Sequence, residues 1–154
     1  MVEIIPFTEQ TKAHIKLLNY EWLQKYFTVE PKDMVQLSNP KKEIIDKAGL
    51  IFYATYQGKI VGTYALMKVN DWEYELAKMA VTQTSKGLGI GKLMIEHCID
   101  TCEKMNIKII SLFSNTKLEA AIHLYRKYGF EEVPMPADVH YERANIKMEK
   151  ILNL

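Results

Sequence analysis

The stretch that decides the fold reads Glu75-Leu-Ala-Lys-Met-Ala-Val81, then Thr82-Gln-Thr-Ser85, then Lys86-Gly-Leu-Gly-Ile-Gly-Lys92. Its first part is mostly apolar and predicts a strand, whereas apolar residues behind the glycines recur at helical spacing up to Met105. The order is therefore strand, glycine loop, helix. Glycines at the start of a helix let bare amides approach an anion. The helix dipole and its unpaired first N–H groups then favour a phosphate there.

Three kinds of phosphate-binding loop begin with glycines in this way. A Walker loop has four residues between its glycines and Ser or Thr after its lysine, but three residues separate Gly87 from Gly91 and leucine follows Lys92. The dinucleotide fingerprint Gly-x-Gly-x-x-Gly would require glycine at Lys92. The pattern basic-x-x-Gly-x-Gly fits residues 86–91 without a gap.

The composition is that of an ordinary globular protein, and we expect one domain over residues 1–154. The apolar share is 48%, the charged share 25% and the net charge +1. Near-neutral charge argues against nucleic acid as a partner, because that affinity rests on clustered phosphate contacts. No apolar run is long enough to span a membrane, and the N-terminus lacks the regions of a signal peptide.

The two cysteines predict neither a disulfide nor a metal site. Cys98 and Cys102 lie four residues apart on one predicted helix, so they cannot link distant elements. With His97 they would give three ligands from a single helix, a poor zinc pattern, and core packing is the commoner role. We expect no metal and a reduced, cytoplasmic protein.

Before the loop, the pattern predicts a short strand, helices and three antiparallel strands. An amphipathic helix runs from Thr8 to about Phe27, and two shorter helical pieces follow. Gln57-Gly58 is a hairpin signal. Consecutive antiparallel strands disfavour a doubly wound domain. The β-rich runs cover residues 50–56, 59–69 and 72–81.

Behind the loop, helix and strand alternate. The long helix ends near Asn106, and a buried strand follows at residues 108–113. Thr116-Lys-Leu-Glu119 has the form of a capping box and opens a helix that stops at Gly129. Strands at residues 130–133 and 143–152 follow. The last strand offers an edge at which two copies could pair, so a homodimer stays open.

A second motif agrees with the loop. Asn115 follows a predicted strand, and residues 125–130 have the form Tyr-x-Lys-x-Gly-Phe. With the loop, this resembles the GNAT superfamily of acetyl-coenzyme-A-dependent N-acyltransferases over about residues 50–133. Two positions depart from the family pattern: Lys86 stands where Arg or Gln is usual, and Thr82-Gln83 replaces a common proline. Main-chain amides supply most of the phosphate binding, although lysine is less directional than arginine.

The resemblance implies an α/β fold of the mixed α+β kind. The expected sheet is mixed and mostly antiparallel, with six to seven strands and about four helices, and it splays between strands four and five. The implied cosubstrate is acetyl-CoA, whose acetyl carbonyl would contact main-chain groups of Met79, Ala80 and Val81. The other implied cofactor-binding residues are Lys86, Gly87, Leu88, Gly89, Ile90, Gly91, Lys92 and Asn115. A helix cap is the alternative role of the asparagine.

Two side chains are candidates for the chemistry of acyl transfer. Tyr125 is the candidate general acid for the leaving thiolate, because a phenol of pKa about 10 lies only about 2 kcal/mol from a thiol of pKa about 8.5. Glu75 is the candidate base, which would act on the substrate ammonium through water. The alternatives are a core tyrosine at position 125 and a solvated strand end at Glu75 beside Glu73.

The leading interpretation is an N-acetyltransferase in which a primary amine of a small molecule or peptide attacks acetyl-CoA directly in a ternary complex. A non-catalytic acyl-CoA-binding sensor module is the alternative, since it needs the loop but neither Tyr125 nor a base. Nucleotide binding is a third class. We expect the acceptor to be chosen by the region from Trp22 to Asp33, whose aromatic residues are more often core, and by the loop that contains His140 and Tyr141.

Overall fold

The computed structural model describes residues 1–138 and 141–152, and its strands form one sheet. Their order across the sheet is first, second, third, fourth, fifth, seventh, sixth, and only the fourth and fifth pair in parallel. The mixed, mostly antiparallel sheet expected from the sequence is confirmed. The strands are β1 Val2–Pro6, β2 Leu50–Tyr56, β3 Lys59–Asn70, β4 Glu73–Val81, β5 Ile109–Ser114, β6 Glu131–Val133 and β7 Ile146–Ile151.

Helices cover both faces of the sheet. They are α1 Lys12–Tyr26, α2 Pro31–Ser38, α3 Pro40–Glu43, α4 Ile90–Lys104 and α5 Glu119–Lys127. The first three pack on one face, where Ile15, Leu23 and Leu37 are buried, and the last two pack on the other face around Met94 and Cys98. Among the described residues, no helix is both long and apolar enough to cross a bilayer.

Strands β4 and β5 diverge along their length. Their pairing begins at Glu73 and ends where Glu75 lies opposite Ser111. Strand β4 nevertheless continues to Val81 and β5 to Ser114. The expected splay between strands four and five is therefore present, and it leaves an opening at the carboxyl ends of both strands.

Several turns follow directly from residue type. Gln57 and Gly58 have φ angles of 51° and 77°, as a type I′ hairpin turn requires at its two central positions. Asn106, with φ 59°, follows α4, and Gly129, with φ 91°, follows α5. Both residue types tolerate this left-handed conformation at the end of a helix, so these predicted ends are confirmed.

The predicted capping box ahead of α5 is wrong. The helix begins at Glu119 with Leu118 as its N-cap and has no side-chain cap. Residues 115–117 form a turn instead, because the Lys117 amide donates to Asn115 Oδ1 at 2.8 Å. The Thr116 amide donates to Asn145 Oδ1 at 3.0 Å, and this long-range bond competes with capping.

The predicted edge strand is also wrong. Strand β7 begins at Ile146 rather than at Arg143, and it lies between β5 and β6. Within the described residues, the edges of the sheet are β1 and the three-residue strand β6. The final strand is therefore not an edge strand, because β6 pairs with residues 147–149 of it.

Candidate active site

A cleft of about 600 Å³ lies where β4 and β5 diverge. Its walls are the second half of β4, the glycine loop with the start of α4, the end of β5, and α5. Trp22, Tyr26 and Phe27 line it as well, although sequence statistics favoured a core role for these aromatic residues. The opening therefore brings the two sequence motifs together with the end of α1.

The glycine loop beside the cleft carries a row of amides without main-chain partners. The first hydrogen bond at the start of α4 runs from the Leu93 amide to the Gly89 carbonyl oxygen at 3.1 Å, so the amides of residues 87–92 have no main-chain acceptor among the described residues. Gly87 and Gly89 have φ angles of 87° and 75°, a region that favours glycine. A Cβ at either glycine would meet nothing within 4 Å, so an anion can approach the backbone closely.

Most of the cofactor-binding residues expected from the sequence lie along this cleft. Leu88 is the exception, since it does not line the cleft and is 46% exposed. His140, expected at the acceptor side, lies outside the described residues. The expected residues that line the cleft are Met79, Ala80, Val81, Lys86, Gly87, Gly89, Ile90, Gly91, Lys92 and Asn115.

Asn115 lies at the end of β5, and its side chain is used within the protein. Its Nδ2 donates to the Arg143 carbonyl oxygen at 2.6 Å, and its Oδ1 accepts from the Lys117 amide at 2.8 Å. The side chain thus joins the β5–α5 connection to the segment before β7. Contact with pantetheine stays a prediction, and it would use the remaining N–H or lone pair.

Tyr125 combines a packed ring with a hydroxyl that faces the cleft. The residue is 9% exposed, and its ring lies 5.9 Å from that of Phe130 between centroids. Among the described residues, the Tyr125 hydroxyl has no hydrogen-bond partner. Every side-chain polar atom that is fully buried in this part of the chain does have a partner. The Tyr125 hydroxyl is therefore not fully buried, and it is accessible from the cleft. Burial raises the pKa of Tyr125 to about 12, and the phenol is therefore protonated at neutral pH.

Glu75 lines the same cleft from the point on β4 where pairing with β5 ends. Its carboxylate forms no hydrogen bond within the described part of the chain. Burial raises the pKa of Glu75, and the positive charges of Lys78 and Lys32 oppose that rise. A carboxylate of this kind takes up a proton closer to neutral pH than an exposed glutamate does.

A β-bulge in β4 decides where Lys78 points. Between the pairs Ala65–Ala77 and Thr63–Ala80, β4 has one residue more than β3. An extra residue reverses the alternation of side chains, so Lys78 lies on the face of α1 and α2 rather than in the apolar core beneath α4. Lys78 itself has φ 57°, an uncommon conformation for a residue with a long side chain.

Lys78 belongs to a buried polar cluster at one end of the cleft. Its Nζ donates to the Tyr141 hydroxyl at 2.7 Å and lies 3.4 Å from Asp33 Oδ1. The Tyr141 hydroxyl donates to Gln36 Oε1 at 2.6 Å. Arg143 binds both oxygens of Asp33, at 2.7 Å and 2.8 Å. Burial lowers the pKa of Lys78 to about 8, although the charge of Asp33 opposes this.

Sequence reasoning missed the role of Lys78 and of its partners. One signal was present: the larger apolar residues occupy positions 74 and 76 but then 79 and 81, with alanine at 77 and 80, and this change of parity indicates a bulge. The partners had no such signal, because they come from α2 and from the segment before β7. No group of three His, Cys, Asp or Glu side chains in residues 1–138 and 141–152 is placed to hold a metal ion.

Known proteins share both sequence and fold with this chain. The model of the acetyltransferase (GNAT) family matches residues 16–130. The chain belongs to this family. Among its relatives, the 5-NmdU N-acetyltransferase of Pseudomonas phage PaMx11 is 32% identical to this GNAT protein over 120 residues, which cover 77% of this chain and 81% of the relative.

A second relative is the uncharacterized N-acetyltransferase YvbK of Bacillus subtilis. It is 26% identical over 101 residues. The match covers 64% of this GNAT chain and 65% of YvbK, so it spans just under two thirds of that relative.

Solved structures share the fold over nearly the whole chain. An acetyltransferase of the GNAT family from Staphylococcus aureus Mu50 has a TM-score of 0.89 and 23% identity, and it covers 99% of this chain and 100% of its own. YncA from Salmonella typhimurium, solved with its cofactor acetyl-CoA, has a TM-score of 0.77 and 16% identity, with 99% and 94% covered. These similarities establish the GNAT fold, including the splayed sheet.

Proposed function

We propose that this GNAT protein transfers an acetyl group from acetyl-CoA to a primary amine of a small molecule or peptide, by direct attack in a ternary complex. One observation carries the proposal: the loop amides, the unpaired end of β4, the Tyr125 hydroxyl and the Glu75 carboxylate all line one cleft. Neither cysteine lines it, which supports direct attack over an acyl-cysteine route. Family membership supports acetyl transfer as the reaction.

The residues of the loop fit the pyrophosphate of coenzyme A. The unpaired amides of residues 87–92 are available to phosphate oxygens, and the open space at Gly87 and Gly89 lets those oxygens reach the backbone. Lys86 and Lys92 line the same part of the cleft and add positive charge. Acetyl-CoA supplies the acetyl group as an activated thioester.

The end of β4 is the proposed site of the acyl oxygen. Beyond Glu75, the edge of β4 that faces β5 has no strand partner, so main-chain groups on that edge can contact a ligand in the cleft. The Lys78 carbonyl oxygen is an exception, because it accepts from Asn19 Nδ2. Amides of residues 79–81 would stabilise negative charge that develops on the carbonyl oxygen. The bulge at Lys78 sets the direction of the Met79 amide, because it rotates the peptide unit that precedes Met79.

Tyr125 is the proposed proton donor to the leaving sulfur. With a pKa of about 12, its complete proton transfer to a thiolate whose thiol has a pKa of about 8.5 is uphill by about 5 kcal/mol. This exceeds the cost expected for an unperturbed phenol. The hydroxyl therefore acts best as a hydrogen-bond donor to sulfur whose proton moves as the carbon–sulfur bond breaks.

Glu75 is the proposed base, acting through water. The acceptor ammonium must lose a proton before its nitrogen can attack, and the Glu75 carboxylate is available because no described group binds it. The aromatic side chains of Trp22, Tyr26 and Phe27 suit an acceptor whose amine is attached to an apolar body.

The test measures thiol release from acetyl-CoA against a panel of amines, with the acetylated product read by mass. Polyamines, amino acids, peptides with free N-termini and 5-NmdU, named for one relative, belong in the panel. We expect at least one amine to be acetylated, with a much lower rate for Tyr125→Phe. Tight coenzyme A binding without acetylation of any amine would favour the sensor module. A Tm raised by ATP or NAD but not by acetyl-CoA would favour nucleotide binding.

A further inference from the structure

Lys78 is held both by its side chain and by its main chain. The side chain is 4% exposed and contacts Asp33 of α2 and Tyr141 of the segment before β7. Its carbonyl oxygen accepts a hydrogen bond from Asn19 Nδ2 of α1 at 3.1 Å. A single residue of β4 therefore connects the strand to three other parts of the cleft wall.

The partners of Lys78 are themselves fixed in place. Asp33 is 0% exposed and binds both terminal nitrogens of Arg143. Arg143 also donates to Glu30 Oε2 at 3.1 Å. In these ion pairs the carboxylates of Asp33 and Glu30 balance the cations of Lys78 and Arg143, and the charge of Glu75 acts on Lys78 as well. Removing one member would leave a buried charge without compensation.

A lysine at this position is costly in two ways. Burying its ammonium requires desolvation, which is reflected in the pKa of about 8. Its φ of 57° is strained for any residue with a Cβ, apart from Asn or Asp to some extent. Buried charge and backbone strain at one residue of a cleft indicate that the position serves the site rather than stability alone.

We propose that Lys78 is a positioning residue for acetyl transfer. Its ammonium ties the bulge of β4 to Asp33 and Tyr141, which lie in the two regions expected from the sequence to choose the acceptor and which we call the acceptor wall. The backbone angles of Lys78 set the orientation of the peptide unit whose N–H belongs to Met79. The acyl-binding amide and the acceptor wall are thereby held at a fixed separation. The inference rests on the proposed function, because it assigns Lys78 to that reaction.

The first experiment compares Lys78→Met, Lys78→Arg and Lys150→Met with the wild type. Lys150→Met is the matched control, since it removes a hydrogen-bonded lysine of β7 that does not line the cleft. For Lys78→Met we expect kcat/KM for the amine to fall by about 10- to 100-fold, because small misplacements of reacting groups cost this much. Coenzyme A affinity should change by no more than about twofold. Lys78→Arg should lose less kcat/KM than Lys78→Met does, and Lys150→Met should keep the wild-type kcat/KM.

A double variant separates positioning from stability. Lys78→Met leaves Asp33 and Glu30 facing one cation, whereas Lys78→Met combined with Asp33→Asn restores the balance of carboxylates and cations in these ion pairs. We expect the double variant to regain much of the lost Tm while its kcat/KM stays low. If activity returned together with Tm, Lys78 would act through stability alone and the proposal would be overturned.

Amide resonances give a readout that needs no turnover. In Lys78→Met, the Met79 and Ala80 amide signals of the free protein should shift, and in Lys150→Met they should not. A wild type that acetylates no amine would refute the proposed function and leave this measurement of the bulge intact. The inference alone would be refuted by an active wild type whose Lys78→Met variant has the wild-type kcat/KM and the wild-type chemical shifts for the Met79 and Ala80 amides.

Discussion

The guanidinium of Arg143 binds the carboxylate of Asp33 through two hydrogen bonds, of 2.7 Å and 2.8 Å, across 110 positions of the chain. The same carboxylate accepts from the Glu30 amide at 2.9 Å. Burial by itself would raise the pKa of Asp33, but the bonds from Arg143 and from the Glu30 amide, with the charge of Lys78, hold that pKa below its usual value. One ionised side chain thus fixes the start of α2 against the segment before β7.

Asp33→Asn should be strongly destabilising. It leaves Lys78 and Arg143 buried with one carboxylate fewer, and breaking a buried pair in this way costs about 3–5 kcal/mol. Asp100→Asn is the matched control, because Asp100 pairs with Lys104 at the surface with 58% of its side chain exposed, and such pairs contribute about 0.5 kcal/mol. Urea unfolding of both variants measures the difference, and equal losses would contradict the assignment.

Asp33 should also affect how the free energy of unfolding decreases at acidic pH. A carboxyl whose pKa is lower when folded stabilises the protein above its unfolded pKa of about 3.9. That contribution is lost as pH falls through the folded pKa. We therefore expect wild-type unfolding free energy to fall more steeply below about pH 4 than that of Asp33→Asn. Parallel curves in that interval would show that another group controls the acid limb.

Tyr125→Phe should reduce kcat by about 100-fold or more, because general acid catalysis typically contributes that much. Its Tm should stay near the wild-type value, since the hydroxyl has no hydrogen-bond partner among the described residues. Tyr128→Phe removes the hydroxyl that donates to Glu96, at a position that does not line the cleft, and it should keep full activity. Equal rates for the two variants would exclude Tyr125 as the acid.

Glu75→Gln should lower activity and raise Tm at pH 7. A carboxyl whose pKa is raised by burial loses folded-state stability as pH rises through that pKa, and neutral glutamine avoids this loss. Wild-type kcat/KM should decrease as Glu75 is protonated at acidic pH, and the variant should lack that limb. Glu73→Gln serves as the control, because Glu73 does not line the cleft. A wild-type acid limb that persists in Glu75→Gln would contradict its role as base.

Gly89→Ala should weaken coenzyme A binding beyond its effect on folding. Gly89 and Gly58 have φ angles of 75° and 77°, and a Cβ at either meets nothing within 4 Å. Both substitutions therefore cost about 1–2 kcal/mol of backbone strain. Only Gly89 lines the cleft, so calorimetric titration with coenzyme A should show a loss for Gly89→Ala and none for Gly58→Ala. Equal affinities of the two variants for coenzyme A would contradict the assignment of the glycine loop to the coenzyme A site.

The sequence by itself determined the features that depend on neighbouring residues. The glycine loop between strand and helix, the Gln57-Gly58 hairpin and the helix ends at Asn106 and Gly129 follow from local backbone preferences. The motifs also pointed to Glu75 and Tyr125, and the fold brings both to the cleft that separates β4 from β5. Local backbone preferences were sufficient for the loop, the hairpin and the helix ends, because each is decided within a few residues. The candidate roles of Glu75 and Tyr125 came instead from the resemblance to the family.

Only the tertiary structure decided the features that depend on distant partners. The insertion of β7 between β5 and β6, the turn at Thr116 in place of a cap, and the binding of Asn115 to Arg143 all involve residues far apart in the chain. The cluster around Lys78 is the clearest case. A buried charge is tolerated only where opposite charges converge on it, and that convergence is a property of the folded chain rather than of any local pattern.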